Sequence, residues 1–228
     1  ADIVCVNGEN AADGLGITPE LAVQIFSSGA DVITSGNHIW QKREILPILD
    51  SNPAVLRPAN YPAGVSGRGI CTIEKAGARV TVINLQGRES LAMIDCPFKT
   101  AKELMKKARH DSPCIIVDFH AESAQEKEAL AFYLDGQVSL VYGTHTHVQT
   151  MDERILPGGT GFISDVGMTG PDRGVIGGDI GISIERSLTQ MPLRIEVADT
   201  TASMQGICAV IDCETGKCLE IERFRRVS

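Results

Sequence analysis

The sequence predicts an α/β fold with a central mixed sheet, or sheets, flanked by helices. Short runs rich in β-branched residues alternate along the 228 residues with segments whose apolar residues recur at helical spacing. Such alternation is typical of α/β proteins, in which strands and helices follow one another. No internal repeat, low-complexity segment or Pro/Ser-rich linker separates the segments. Residues 1–228 are therefore predicted to form a single domain.

The N-terminal half is predicted to contain two strands, each followed by a helix, and then a strand pair. The first helix has Thr18 as N-cap and Pro19 at its first position, and Gly29 ends it. The strand pair turns at Ala76-Gly77. The predicted elements are strand 2–6, helix 19–28, strand 31–34, helix 42–49 and strands 70–74 and 79–85.

The C-terminal half continues the alternation and ends in predicted antiparallel strands. Its clearest helix has Ser123 and Glu126 in a capping box and Gly136 just beyond its end. The Gly-rich stretch 167–181 is predicted to be a long ordered loop. The predicted elements are helix 100–109, strand 114–119, helix 121–134, strands 138–142 and 160–165, and an antiparallel set over 193–197, 203–212 and 218–225 that turns at 214–216.

Composition excludes several classes of protein. The chain has 21 Lys and Arg against 29 Asp and Glu, a formal net charge of −8, so it lacks the basic footprint of a general DNA-binding protein. No apolar run approaches the roughly 18 residues of a membrane-spanning helix, and no basic segment opens a signal peptide. Seven cysteines without a CxxC pair are typical of reduced cytoplasmic thiols. A metal site at Cys208, Cys213 and Cys218 is a less favoured alternative.

Polar clusters follow the C-terminal ends of four predicted strands. They comprise residues 7–10, 36–38 and 143–147, together with His120 at the end of its own strand and Glu122 just after it. Ligands of an open α/β sheet bind in the crevice outside the carboxyl ends of its strands. We therefore expect one edge of the sheet to gather four of the five histidines with carboxylate and amide side chains.

This mixture of side chains predicts a metal site. A carboxylate can bridge two cations, imidazole suits Zn, Mn or Fe, and an amide oxygen can fill a further position. Each cluster alone has an ordinary structural explanation, as a turn or as a hydrogen-bonded core histidine, but their joint placement favours metal binding. His145 and His147 would point to opposite sides of an extended segment, whereas on a turn they could reach two neighbouring metal ions.

The motifs also resemble a known family. GNH at 36–38, His120 and GTHTH at 143–147 are similar to the later motifs of the calcineurin-like metallophosphoesterases. Over essentially the whole chain the sequence resembles the bacterial YmdB-like branch of that family, with a Glu-Asn pair at Glu9-Asn10. The segments that carry this resemblance are VNGENAADGLGIT, SGNHIW, LRPANYP, INLQGR, VDFHAE, GTHTHVQT and ILPGGTGFISDVGMTGP. The resemblance implies the calcineurin-like fold, with its metal site at the strand C-terminal ends.

The resemblance further implies a site with two divalent or transition metal ions, Fe, Mn or Zn. Glu9 would bridge both ions, and His38 would bind neither but would protonate the leaving oxygen. A metal-bridging hydroxide would attack phosphorus in line. The implied ligands are Glu9, Asn37, His120 and His145 for one ion, and Glu9 and His147, with Asn10 in or near the shell, for the other.

The implied activity is hydrolysis of small phosphodiesters, in particular 2′,3′- or 3′,5′-cyclic nucleotides. A phosphomonoesterase or nucleotidase is the first alternative, and a non-catalytic metal-binding regulatory protein is the second. The family also implies self-association into a homo-oligomer. A role as an RNA-processing partner follows only from the family, and the acidic charge balance does not favour it.

Three further residues are candidates around the metals. Asp165 ends a predicted strand and is expected to hydrogen-bond a ligand histidine. Arg57 and Asn60 are candidates for contacts with substrate.

One departure from the family concerns the N-terminus. The family opens with a strand that ends in a Gly-Asp motif, whose Asp binds the same metal as His147. No such motif precedes residue 1, so the family's first strand and helix are expected to be missing. In a chain without them, the ion held by Glu9, Asn37, His120 and His145 should be retained better than the ion at His147.

Overall fold

The structure is a computed structural model that describes residues 1–227. Its helices are α1 (Pro19–Ser27), α2 (Leu46–Ser51, preceded by a 3₁₀ turn at Arg43–Ile45), α3 (Pro97–Asp111), α4 (Ala124–Leu134) and α5 (Ile180–Thr189). Its strands are β1 (Cys5–Asn7), β2 (Val32–Thr34), β3 (Ile70–Lys75), β4 (Ala78–Gln86), β5 (Cys114–His120), β6 (Leu140–Thr144), β7 (Arg154–Ile155), β8 (Gly161–Ile163), β9 (Gly170–Pro171), β10 (Ala202–Ile211) and β11 (Cys218–Val227).

The strands form a mixed six-stranded sheet and two smaller sheets. The large sheet has the order β3-β4-β5-β6-β8-β7, in which β4, β5, β6 and β8 run parallel and the two edge strands run antiparallel. β1 and β2 form a separate parallel pair, and β9, β10 and β11 form an antiparallel sheet. The prediction that the polar clusters all lie at one edge of a single open sheet is therefore wrong in detail, because the clusters follow strands of two different sheets.

Three apolar clusters stack these elements into layers. One cluster joins the large sheet, through Val82 and Ile116, to Val32 of β2 and to partly buried residues of β10 and β11. A second packs α3 and α4 on the other face of the large sheet. The third packs α1 and α2 against β2. Because β5 is covered on both faces, all seven of its residues are buried. This burial explains why the strand is apolar except at Asp118 and His120.

Local signals in the sequence correctly locate several element ends. The Thr18 hydroxyl accepts the N–H of Leu21 at 3.3 Å and begins α1, and the Ser123 hydroxyl accepts the N–H of Glu126 at 3.2 Å and begins α4. Between β3 and β4, Ala76-Gly77 turns the chain with φ of 53° and 80°.

The sequence interpretation fails between residues 167 and 200. Residues 193–197 are not a strand, because their only strand-like pairing is a bridge between Val197 and Gly178. Helix α5 was not predicted, although the Asp179 side chain caps it by accepting the N–H of Ile182 at 2.8 Å. The closely spaced glycines of this stretch favour a loop in the sequence, whereas the Asp179 cap is evident only in the structure.

No helix within residues 1–227 is long and apolar enough to cross a membrane. All seven cysteines are free, as expected for reduced thiols. The one metal-binding group of His, Cys, Asp and Glu found in the described chain does not include Cys208, Cys213 or Cys218.

We predict that Leu85→Ala destabilises the protein by about 2–5 kcal/mol, because it removes a fully buried side chain from the core between the large sheet and α3–α4. Leu219→Ala is the matched control: this side chain is 60% exposed, so the change should stay within about 0.5 kcal/mol. Urea unfolding measures both values, and equal losses would contradict the packing described above.

Candidate metal centre

The buried carboxylate of Asp118 ties together the strand ends around the site. It accepts hydrogen bonds from Asn7 Nδ2 of β1 at 3.0 Å, from the Thr34 hydroxyl of β2, and from the Thr144 hydroxyl of β6 at 2.7 Å. Burial raises the pKa of Asp118, and the three donors oppose that rise. Strands of the large sheet and of the β1–β2 pair therefore end at a common, fully buried acceptor.

Thr144 also fixes which nitrogen of His120 carries the proton. Because the Thr144 hydroxyl donates to Asp118, its oxygen accepts the N–H of His120 Nδ1, at 3.0 Å. Neutral imidazole has a single N–H, so His120 Nε2 carries a lone pair. This nitrogen points away from the strand ends and into the loops that follow them.

Three further ligand atoms converge on that lone pair. Glu9 Oε2 lies 2.6 Å, Asn37 Oδ1 3.1 Å and His145 Nδ1 3.0 Å from His120 Nε2. The ligand atoms of Glu9, His120 and His145 all lie within 4.8 Å of one another. His120 Nε2 carries no proton to share with these acceptors, whereas a cation placed among them satisfies all of them. The residues present therefore fit a bound metal ion.

Gly36 allows the His120 ring to occupy this position. A Cβ atom on Gly36 would lie 2.2 Å from His120 Cδ2 and 2.3 Å from Nε2, so only glycine leaves room for the ring. The glycine of the GNH motif is thus required by this close approach. Its φ is negative, and conformational freedom is not the reason for it.

A second group of side chains surrounds Asn10. Its Oδ1 lies 2.9 Å from His38 Nδ1, and its Nδ2 lies 3.0 Å from His147 Nε2. His147 Nδ1 is buried without a hydrogen-bond partner in the described chain. His147 therefore stands apart from the cluster around His120, and it offers an unpaired ring nitrogen to a ligand.

Glu9 is buried between the two groups. Its Oε2 faces His120, whereas its Oε1 accepts the backbone N–H of His38 at 2.6 Å and lies 3.8 Å from His38 Nδ1. Burial alone would raise the pKa of Glu9, but its contacts with the His120 imidazole and with the backbone N–H of His38 lower it below its usual value. The carboxylate form, which binds metals, is thereby favoured.

The two histidines nearest to Glu9 and His120 are held neutral. Burial, followed by the proximity of the His120 ring, lowers the pKa of His145 to about 4, although Glu9 and Glu122 oppose the shift. Burial also lowers the pKa of His38, against the attraction of Glu9. Neutral imidazole is the form that coordinates metals. The side chain of His38 remains 29% exposed, which leaves it open to a substrate.

Asp165 has different partners from those expected. Its carboxylate does not bond a histidine: Oδ2 accepts the backbone N–H of Thr146 at 3.1 Å and pairs with Lys127 Nζ at 2.8 Å, and Oδ1 accepts the N–H of Gly167 at 2.9 Å. It therefore acts on the backbone between His145 and His147. Asp165 lies two residues beyond the end of β8 rather than at its end, and its partners are not the predicted ligand histidine.

The substrate contacts expected for Arg57 and Asn60 are not supported by their surroundings. Arg57 Nη1 donates to the carbonyls of Pro58 and Ala59. The Asn60 amide is buried and fully occupied by backbone groups of Gln86 and Asp95. Asn60 therefore braces the loop that precedes β3. Arg57 also contacts this loop, but its Nε is buried without a hydrogen-bond partner in the described chain, so substrate contact by Arg57 stays a prediction.

Sequence reasoning missed three residues that organise the site: Asp118, Thr144 and Lys127. A carboxylate inside the apolar run of β5 was a visible sign that Asp118 has buried partners. Lys127 gave no such sign, because lysine is common on exposed helix surfaces and only the tertiary structure buries this one.

Comparison with known proteins shows the family of the chain. The family described as YmdB-like protein matches residues 1–224. The chain belongs to the YmdB-like family. It is 49% identical over 219 residues, 96% of this chain and 83% of the relative, to a 2′,3′-cyclic-nucleotide 2′-phosphodiesterase of Bacillus subtilis.

Two solved structures also superpose over the whole chain. One is a hypothetical protein from Thermus thermophilus, with TM-score 0.94 and 36% identity over 88% of that chain. The other is a novel phosphatase from Mycoplasma pneumoniae, with TM-score 0.92 and 35% identity over 83% of that chain. The calcineurin-like metallophosphoesterase fold and the family expected from the motifs are confirmed, and the chain is a metallophosphoesterase.

We predict that Thr144→Val weakens metal binding about 10- to 100-fold, because it removes the partner that orients His120. It should also destabilise the fold by about 1–3 kcal/mol, because Asp118 loses a donor. Calorimetric titration with Mn²⁺ and urea unfolding measure the two effects.

The control for this substitution is Thr72→Val. It breaks a hydroxyl pair with Thr81 at 2.8 Å in the β3–β4 hairpin, away from the metal centre. It should affect stability alone. Equal metal affinities for the two variants would contradict the orienting role of Thr144.

Proposed function

We propose that this protein is a dinuclear metal-dependent phosphodiesterase that hydrolyses small phosphodiesters, namely 2′,3′- or 3′,5′-cyclic nucleotides. The observation that carries the proposal is the buried Glu9 carboxylate, whose two oxygens face two separate histidine groups. The activity named for the Bacillus subtilis relative, at 49% identity, supports the choice of substrate.

The residues around Glu9 would hold two ions of Fe, Mn or Zn. Glu9, Asn37, His120 and His145 would bind one of them, and Glu9 with His147, and with Asn10 close to it, would bind the other. Bound divalent ions of this kind supply positive charge for phosphoryl oxygens and water of lowered pKa. The chain contributes oxygen and nitrogen ligands held in the carboxylate and neutral imidazole forms.

His38 is proposed as the general acid. The Asn10 amide oxygen accepts from His38 Nδ1 at 2.9 Å, so the proton of the neutral ring resides on Nδ1. Its Nε2 makes no hydrogen bond within residues 1–227, and after protonation it is the nitrogen that can donate to a leaving oxygen. The partial exposure of the side chain is consistent with contact with substrate.

Hydrolysis of phosphomonoesters is the second candidate, because the solved relative from Mycoplasma pneumoniae is called a phosphatase. The other alternative, a non-catalytic metal-binding regulatory protein, would hydrolyse neither phosphodiesters nor phosphomonoesters. Self-association into a homo-oligomer is part of the proposal and rests on the sequence resemblance. A cytoplasmic location is also part of it and rests on the free thiols.

We predict that the purified protein binds up to two Fe, Mn or Zn ions per chain, because two histidine groups flank Glu9, and that the ion held by Glu9, Asn37, His120 and His145 is retained better than the ion at His147. Elemental analysis of protein purified without chelator measures the identity and number of ions. A content near zero after attempted reconstitution with each metal would refute the dinuclear site.

We predict faster cleavage of bis-p-nitrophenyl phosphate than of p-nitrophenyl phosphate by the metal-loaded protein. Release of p-nitrophenol measures both rates under one condition, and 2′,3′- and 3′,5′-cyclic nucleotides extend the comparison. Faster cleavage of the monoester would overturn the proposed preference in favour of a phosphomonoesterase.

We predict that His38→Ala lowers kcat about 10²- to 10⁴-fold, the usual contribution of general acid catalysis, and leaves the metal content unchanged. His110→Ala is the matched control, since that side chain is 87% exposed on α3. Unchanged turnover in His38→Ala would remove His38 from the mechanism, and lost metal would reassign it as a ligand.

A further inference from the structure

A buried ion pair lies beneath the loop that carries two of the site histidines. Lys127 Nζ of α4 is 2.8 Å from Asp165 Oδ2, and both side chains are 1% exposed. The same Asp165 oxygen accepts the backbone N–H of Thr146 at 3.1 Å. Thr146 lies between His145 and His147, so a desolvated lysine is coupled through one carboxylate oxygen to the backbone of both histidines.

The backbone held by this pair is strained. His145 has φ of 105° and His147 has φ of 64°, both in the region that side chains other than glycine rarely adopt. Such conformations persist when the surrounding structure determines them, and they concentrate at functional sites. The turn points both rings toward the site, where His145 Nδ1 meets His120 and His147 Nε2 meets Asn10.

The Lys127 side chain reaches the loop through space that Gly143 leaves free. Its aliphatic stem passes Gly143, where a Cβ atom would lie 2.8 Å from Lys127 Cδ and 1.7 Å from the carbonyl oxygen of Ser164. Asp165 is held in turn by Thr150, whose hydroxyl accepts its backbone N–H at 3.0 Å. The glycine of the GTHTH motif thus leaves room for the ammonium group to reach Asp165.

We propose that Lys127 and Asp165 are positioning residues that hold the His145–His147 turn in its metal-binding geometry. The inference rests on the proposed metal site. Lys127 fixes the Asp165 carboxylate, and the carboxylate fixes the N–H of Thr146 and thereby the directions of the two neighbouring rings. A buried ion pair is not in general a source of net stability, so the pair requires a reason other than folding.

The test is Mn²⁺ binding by metal-stripped full-length chain, measured by calorimetric titration together with the melting temperature. Lys127→Met keeps the stem beside Gly143 and removes the charge, and Asp165→Ala removes the acceptor of the Thr146 N–H. Both should weaken Mn²⁺ binding about 10- to 100-fold. Asp165→Asn keeps an oxygen that can accept from Thr146, so it should restore most of the affinity.

The matched control is Arg223→Met, which breaks an ion pair with Glu153 at 2.7 Å outside the histidine turn. It should leave Mn²⁺ affinity unchanged even if it lowers the melting temperature. If Lys127→Met and Asp165→Ala lower the melting temperature but bind Mn²⁺ as tightly as the unsubstituted chain, the pair is only structural and the proposal is overturned. A loss of affinity in Arg223→Met as large as in Lys127→Met would also overturn it.

The double variant Lys127→Met/Asp165→Asn decides the matter if the single variants do not fold, because it leaves no buried charge unpaired. It should bind Mn²⁺ more weakly than Asp165→Asn alone, and equal affinities would overturn the proposal. The unsubstituted chain separates this inference from the proposed function. If that chain binds no metal ion, both fail, whereas if it binds two ions and all the variants match it, only the positioning role fails.

Discussion

The buried carboxylate of Asp118 is the constraint on which the rest of the site depends. Removing a carboxylate from water is strongly unfavourable unless hydrogen-bond donors surround it, and here β1, β2 and β6 each supply one. Two of these strands belong to the small parallel pair, and the third belongs to the large sheet. The requirement to satisfy one charge therefore brings the C-terminal ends of two sheets together, and the site loops follow directly from those ends.

The hydrogen bonds of Asp118 in turn determine where the protons of the neighbouring side chains lie. Asp118 takes the hydroxyl hydrogen of Thr144, Thr144 then takes the N–H of His120, and His120 is left with a lone pair facing Glu9. In a weakly polarisable interior each of these contacts acts strongly on the next one. Burial then keeps His145 neutral, and the partners of Glu9 keep it charged. Glu9 and His145 are thus in their metal-binding forms before a metal ion arrives.

Sequence-based reasoning failed for polar side chains that bind groups of the protein itself rather than a ligand. Asp165, Arg57 and Asn60 are polar residues near strand ends or site loops, which made them reasonable candidates for contacts with a histidine or with substrate. Asp165 instead accepts the Thr146 N–H and pairs with Lys127, Arg57 donates to the adjacent Pro58 carbonyl, and Asn60 binds the N–H and carbonyl of Gln86. The sequence shows that a side chain is polar, but it does not show whether that side chain binds a ligand or a peptide group that has no other partner.

Local patterns in the sequence predict the α/β alternation, the capped ends of α1 and α4, and the placement of Glu9, Asn37, His120 and His145 at or just after strand ends. These features depend on local spacing and on chemistry that each residue carries with it. Tertiary packing is the reason that two sheets, rather than one, deliver these side chains, and that Lys127 is buried against Asp165 next to the histidine turn. Both depend on which faces pack together, and that is set by long-range burial of apolar and charged groups that no local pattern records.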